Sequence, residues 1–347
     1  MRTISADPKI IAMANGLKLV PGDPVREILK FCRSRIRGWI RKYGSIRSIL
    51  DLERVVCEEL NLTIHEIWKD EDLEELIKNY QEDGDPAFNL LRADLDENTF
   101  ATLMRRKPLF PNSPIRFVAV IDCRGQKQHR RFFTRWHEIA HVLTFHTQLE
   151  FVFHRSTTEK NATEQMMDLI AGDVGFLEEL FVPILNAELE RETRLTFAGV
   201  ERVRANYCFE ASFQATLHAC AGKIQVPVIL LEIGPGYKRS ELRAMEEKGV
   251  KILDPNAPKA KLRVLNSMPN DAARRTGLQI HKNMRVPEHS VLFELFKSTD
   301  KPDFENSERV ENLARWTTSE GESLSDLEVH VEGIRVQGKV FAIITPI

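Results

Sequence analysis

The segment His137-Glu138-Ile139-Ala140-His141 puts two imidazoles one helical turn apart, with a carboxylate beside the first. Side chains at i and i+4 share a face of an α-helix, so both histidines can ligate one Zn²⁺ ion. Zinc lowers the pKa of a water it holds towards neutrality and polarises a carbonyl; Glu138 can take the proton as that water attacks a peptide bond. The plainer alternative is a helix with two satisfied histidines and a surface glutamate. Two ligands and a base at this spacing make metal-assisted hydrolysis the expected chemistry.

Catalytic zinc usually has three protein ligands and an open position. Downstream, Glu164 and Asp168 stand four residues apart and share one helix face. Glu reaches farther than Asp, and a ligating His needs its other ring nitrogen held by an acceptor. The economical assignment makes Glu164 the third ligand and Asp168 the partner that orients a ligand histidine. The reverse, with Asp168 on the metal, stays open on geometry. The two acids could also be no more than helix N-terminal charges favoured by the dipole.

Hydrophobic patterning outlines the elements that must position these residues. Residues 24–80 read as helices, from recurrences such as Val25, Ile28, Leu29 and Cys32. Ile115 to Ile121 is a short β-branched run that predicts a buried strand. Asp122 to Gly125 turns the chain into a helix that starts near Arg131 and is apolar on most sides, as expected of one crossing a domain interior. A further helix over Ala162 to Leu180 is expected to end in Phe181-Val182-Pro183, and residues 186–222 read as helical again. Beyond Gln225, the segments 226–231, 262–265, 291–296, 327–336 and 340–344 read as strands, the last two joined in a hairpin around Gly338. Segments 234–261 and 297–323 read as long loops with room for a helix in each.

At 347 residues the chain has room for two domains and a small third module. Its net charge of −2 makes no global case for nucleic-acid binding. Locally, however, Arg33, Arg35, Arg37, Arg41, Lys42 and Arg47 form one basic stretch, and Arg124, Lys127, Arg130, Arg131 and Arg135 form another close to the metal motif. Arg suits phosphates and Trp39 or Tyr43 could stack bases, so single-stranded DNA is a candidate activator on either patch; a solvated helix face is the commoner use of such charge. The five cysteines are odd in number and contain no CxxC pair, which argues for a reducing compartment. With an N-terminus too polar for a signal peptide and no apolar run long enough to span a bilayer, the chain reads as cytoplasmic, with no membrane partner.

The strand IRFVAVID, the approach RRFFTRW, the HEIAH helix and Glu164-x-x-x-Asp168-x-Ile170-Ala171 ahead of Phe181-Val182-Pro183 resemble the ImmA/IrrE family of zinc peptidases. Met167 departs from the family's small residue, and additional residues precede Pro183. The resemblance implies an α+β chain with a zincin-like metallopeptidase domain (1–185), a helical, helix-turn-helix-like module (186–224) and a GAF-like α/β sensor domain (225–347). It also implies limited proteolysis of a helix-turn-helix transcriptional repressor, derepressing a stress-response or anti-phage operon. The activating signal would be single-stranded DNA or a small molecule. The alternative is a non-proteolytic regulator that binds DNA or protein and carries a structural zinc.

In that family the strand before the zinc helix borders the cleft, so Cys123, just past its end, becomes a candidate inhibitory zinc ligand. Its simpler reading is a small buried residue ending a strand. Residues 198–221 have the length of a helix-turn-helix, but their second helix offers no Arg or Lys before Lys223, leaving Arg191, Arg194, Arg202 and Arg204 for backbone contacts. His146, His154, Arg155 and Tyr207 are candidates for stabilising an oxyanion.

Overall fold

Alternation of β-branched strands with amphipathic helices gives a mixed α+β chain with two separate sheets. A computed structural model describes residues 4–20, 22–106, 114–145, 153–156, 161–247, 259–298, 306–318 and 321–347, with the backbone alone at 153–156 and 239. The chain divides into two compact units, Met1–Ile184 with Val203–Thr216, and Leu185–Arg202 with Leu217–Ile347. The helical stretch 186–224, expected as a module of its own, is shared between them. Among the described residues no helix is long and apolar enough to cross a membrane.

The first unit contains α1 (Pro8–Gly16), α2 (Pro24–Tyr43), α3 (Ile49–Leu60), β1 (Leu62–Ile67), α4 (Asp70–Glu82), the short α5 (Leu91–Asp94), β2 (Thr99–Arg106), β3 (Arg116–Asp122), α6 (Arg131–Leu143), β4 (Phe153–Ser156) and α7 (Ala162–Gly175). Its sheet has the order β1-β3-β2-β4; β1 runs parallel to β3 and the other pairs are antiparallel. From Phe117 to Asp122 every residue of β3 is buried, which explains its unbroken apolar run. Each such fully buried Val or Ile contributes about 1.5–3 kcal/mol. Helix α6 leaves the end of β3 through a 3₁₀ turn, Gly125–Arg130, and buries every residue but Arg131 and Phe133.

Helix α7 begins at Asn161, whose side chain accepts a hydrogen bond from the Glu164 N–H at 2.9 Å. Such a cap contributes about 1 kcal/mol and sets the phase of the first turn. At its far end α7 approaches α6 closely: a Cβ added to Gly175 would lie 3.0 Å from Cγ of Trp136. Only glycine allows that approach without a shift of the indole.

The second unit holds a five-stranded antiparallel sheet of order β6-β5-β9-β8-β7, from β5 (Ile229–Gly236), β6 (Lys261–Pro269), β7 (Asn306–Asn312), β8 (Glu328–Val336) and β9 (Lys339–Pro346). Three helices accompany these strands, α11 (Arg239–Glu247), α12 (Asp271–Thr276) and α13 (Val291–Lys297). The β8–β9 hairpin turns on Gln337-Gly338, both with positive φ (48° and 75°), the backbone of a type I′ turn. Helices α8 (Glu178–Glu192), α9 (Phe197–Tyr207) and α10 (Phe213–Lys223) complete the chain.

Four local expectations are corrected. Leu62–Ile67 is a strand inside the segment read as helical, drawn into parallel pairing with β3. The segment 291–296 is helical: Ser290 caps it, and Val291, Leu292 and Leu295 are buried at helical spacing. The polar segment 297–323 supplies an edge strand, β7, whose exposed burial pattern explains why no alternation marked it. Finally, the helix expected to run to Leu180 ends at Gly175, and Pro183 lies within α8.

Candidate metal centre

Helices α6 and α7 bring His137, His141 and Glu164 together, with one ligand atom from each lying within 4.8 Å of the others. His137 Nε2 is 3.3 Å from His141 Nε2 and 3.0 Å from Glu164 Oε2, while His141 Nε2 is 3.5 Å from Glu164 Oε1. A tetrahedral zinc with bonds of about 2.0–2.1 Å holds its ligand atoms about 3.3 Å apart, so this donor set fits the ion in type and spacing. Both histidines are buried, at 1% and 4% exposure, and Glu138 between them is buried at 1%.

Asp168 does not join the set. Its Oδ1 lies 2.9 Å from His137 Nδ1, and its side chain is half exposed. One acid therefore faces the two ligand nitrogens while the other, a turn along α7, holds the outer nitrogen of His137. Burial acts to raise the Glu164 pKa, but hydrogen bonds from His137 and His141 outweigh it and keep the carboxyl well below its ordinary range.

Beside the donor set, α6 carries a second buried charge. Arg135, 5% exposed, meets three carboxylates: Glu53 of α3 at 2.9 Å, Glu66 of β1 at 2.5 Å and Glu210, beyond α9, at 2.5 Å. Arg131 adds a 2.8 Å pair to Glu210. Burial alone would lower the pKa of Arg135; Glu53, Glu210 and Glu66 together hold it above its ordinary value. Burial raises Glu53 in spite of its partner. A lone arginine two residues before the metal motif, in an otherwise buried helix, was the one sign of this network. Its partners at 53, 66 and 210 have no spacing that sequence could reveal.

The basic residues expected to meet nucleic acid are mostly engaged inside the first unit. Arg33 pairs with Asp173 of α7 at 2.9 Å, Arg37 with Glu179, and Lys42 with Glu59 at 2.5 Å. Arg35 donates to the Leu143 carbonyl at 2.9 Å, satisfying the C-terminal end of α6. Arg124 and Lys127 both reach Asp122, at 2.8 and 2.6 Å. Arg130 and Arg131 lie over the rings of Phe100 and Trp68. Arg41 is exposed. Arg194 is paired with Glu308, Arg202 with Glu188 and Glu192, and Arg204 donates to the Phe209 and Ala211 carbonyls. Arg33 and Lys42 tie helices together through partners remote in sequence, whereas Arg124 and Lys127 share the local partner Asp122 at the end of β3.

Cys123 fits the simpler reading, a small buried residue that ends a strand. It is absent from the donor group, its N–H continues the β1–β3 ladder to the Ile67 carbonyl, and burial, assisted by Glu66, pushes its thiol up to about 12. A buried protonated thiol ending a strand is what the geometry describes. Tyr207 donates to the Gly175 carbonyl at 2.9 Å and packs against Phe176 and Phe181, so its hydroxyl is committed. His146 lies outside the described residues, as do the side chains of His154 and Arg155. No family model matches the chain, and no curated protein matches it.

Proposed function

We propose that the chain is a zinc-dependent endopeptidase whose metal is held by His137, His141 and Glu164, with Glu138 as general base. The observation that supports this most directly is the pair of contacts made by His137. Its Nε2 faces Glu164 and its Nδ1 faces Asp168, the division of labour a ligating imidazole needs. Zinc bound there would supply a Lewis acid for the scissile carbonyl and a water acidic enough to attack near neutral pH. Asp168 fixes the tautomer of His137 by accepting from Nδ1. Glu138, buried between the two histidines, takes the proton of the attacking water and passes it to the leaving amine.

The substrate class we propose rests on the resemblance to the ImmA/IrrE family: a helix-turn-helix transcriptional repressor, cut at one site to relieve repression of a stress-response or anti-phage operon. In this reading the first unit is the zincin-like peptidase, and the sheet of the second serves as a GAF-like sensor. The test is cleavage of a repressor encoded beside the gene, by wild type and by Glu138→Gln, after zinc content has been measured. It is run with and without single-stranded DNA or small-molecule extracts. One discrete cut that needs Glu138 is expected. No cut under any condition, despite one zinc per chain, would favour the non-proteolytic regulator.

A further inference from the structure

The first unit has a second concave site with no residue in common with the donor set. A groove of about 420 Å³ opens where β1 and β3 begin, walled by α3, α4 and the end of β2. Three guanidiniums line it, from Arg54, Arg106 and Arg116, against one carboxylate, Glu58. Its floor includes the largely buried Phe117 and Val118, and the exposed Thr63 adds a hydroxyl. We propose that this groove binds a small phosphate-bearing molecule.

The three arginines differ in a way that suits the task. Arg106 is fixed: it pairs with Asp85 at 3.2 Å and Asp83 at 3.5 Å and lies 4.8 Å over the Tyr80 ring, which is itself stacked on Phe88. Holding a guanidinium in place beforehand reduces the entropy lost when a ligand arrives. Arg116 is exposed and makes no ion pair with another described residue. Among the described residues Arg54 pairs only with Asp51, at 3.7 Å, in a solvent-exposed pair that competes weakly with a ligand. Two arginines are thus ready to pivot inward on a third that is anchored.

A volume in the usual range of roughly 300–1,000 Å³ for small-molecule sites, and apolar side chains at its base, fit a compact organic body rather than a polymer. Guanidinium forks match phosphate oxygens in pairs, and a dianion uses the charge of both Arg116 and the weakly paired Arg54, where a monocarboxylate uses one. The α3 wall that supplies Arg54, Cys57 and Glu58 to the groove also carries Glu53, the partner of Arg135.

Calorimetric titration of the full chain with phenyl phosphate, and with benzoate as its carboxylate counterpart, tests the assignment. Phenyl phosphate is expected to bind saturably at one site, and Arg116→Ala to weaken it about tenfold or more, the cost of losing one charge-assisted partner. Arg41→Ala, which removes an exposed charge elsewhere, should leave binding unchanged. Three results would overturn the proposal: no saturable binding, equal weakening by Arg41→Ala, or benzoate binding as tightly as phenyl phosphate. All substituted residues are exposed, so a folding defect does not obscure the outcome.

Discussion

Asp168 holds His137 by Nδ1 at 2.9 Å and thereby leaves Nε2 to face Glu164 at 3.0 Å. The two acids of α7 have different tasks despite standing on one helix face, and the difference is measurable. Asp168→Asn is expected to weaken zinc binding by about 10–100-fold, as loss of an orienting partner does elsewhere. Glu164→Ala should cost far more. Competition with a chromophoric chelator gives both affinities; equal losses would make Asp168 a ligand in its own right.

Arg135→Met leaves Glu53, Glu66 and Glu210 without their shared cation. Breaking a buried pair from one side costs about 3–5 kcal/mol, and denaturant unfolding should show a loss of that order. Pairing the change with Glu210→Gln should recover part of it. A loss below about 1 kcal/mol would class the network with surface ion pairs.

In the second unit, Glu332 is buried on β8 and accepts from the Phe197 N–H and the Asn306 amide, both at 3.0 Å. Burial raises its pKa above the ordinary 4.5, in spite of these two hydrogen bonds. A carboxyl raised in the folded state stabilises most below its unfolded pKa, and that contribution is lost as pH rises through the folded one. The stability of wild type relative to Glu332→Gln should therefore fall as pH rises above 4.5 and level off once the folded-state carboxyl has ionised. A flat difference in unfolding free energy across that range would contradict the assignment.

Gly175→Ala places a methyl against Trp136. Overpacking of this kind costs about 1–3 kcal/mol, and it should also loosen zinc binding, since α6 and α7 carry the three donors between them. Tryptophan fluorescence and chelator competition report the two effects. Unchanged values in both would mean that the indole yields freely.

The local parts of the site could be read from spacing alone. His137, Glu138 and His141 need only the helical repeat, and Glu164 and Asp168 need only a second helix and the differing reach of the two side chains. Longer-range relations were not legible. Arg135 finds carboxylates from three separate elements, and Leu62–Ile67 becomes a strand through pairing with a segment that begins over fifty positions later. The apolar run 291–296 fits strand and helix alike; the Ser290 cap and a sheet face to pack on decide it. The ion pairs of the basic patches were equally hidden where the partner is remote, as for Arg33 with Asp173 and Arg37 with Glu179.

One consequence attaches to α3, which presents Glu53 to Arg135 and walls the arginine-lined groove. If binding in the groove is felt at the metal centre through this helix, the effect must be reciprocal. Any factor by which a phosphate in the groove alters the affinity for zinc must equal the factor by which zinc alters the affinity for that phosphate. Titrating either ligand in the presence of the other would measure one coupling constant from two directions.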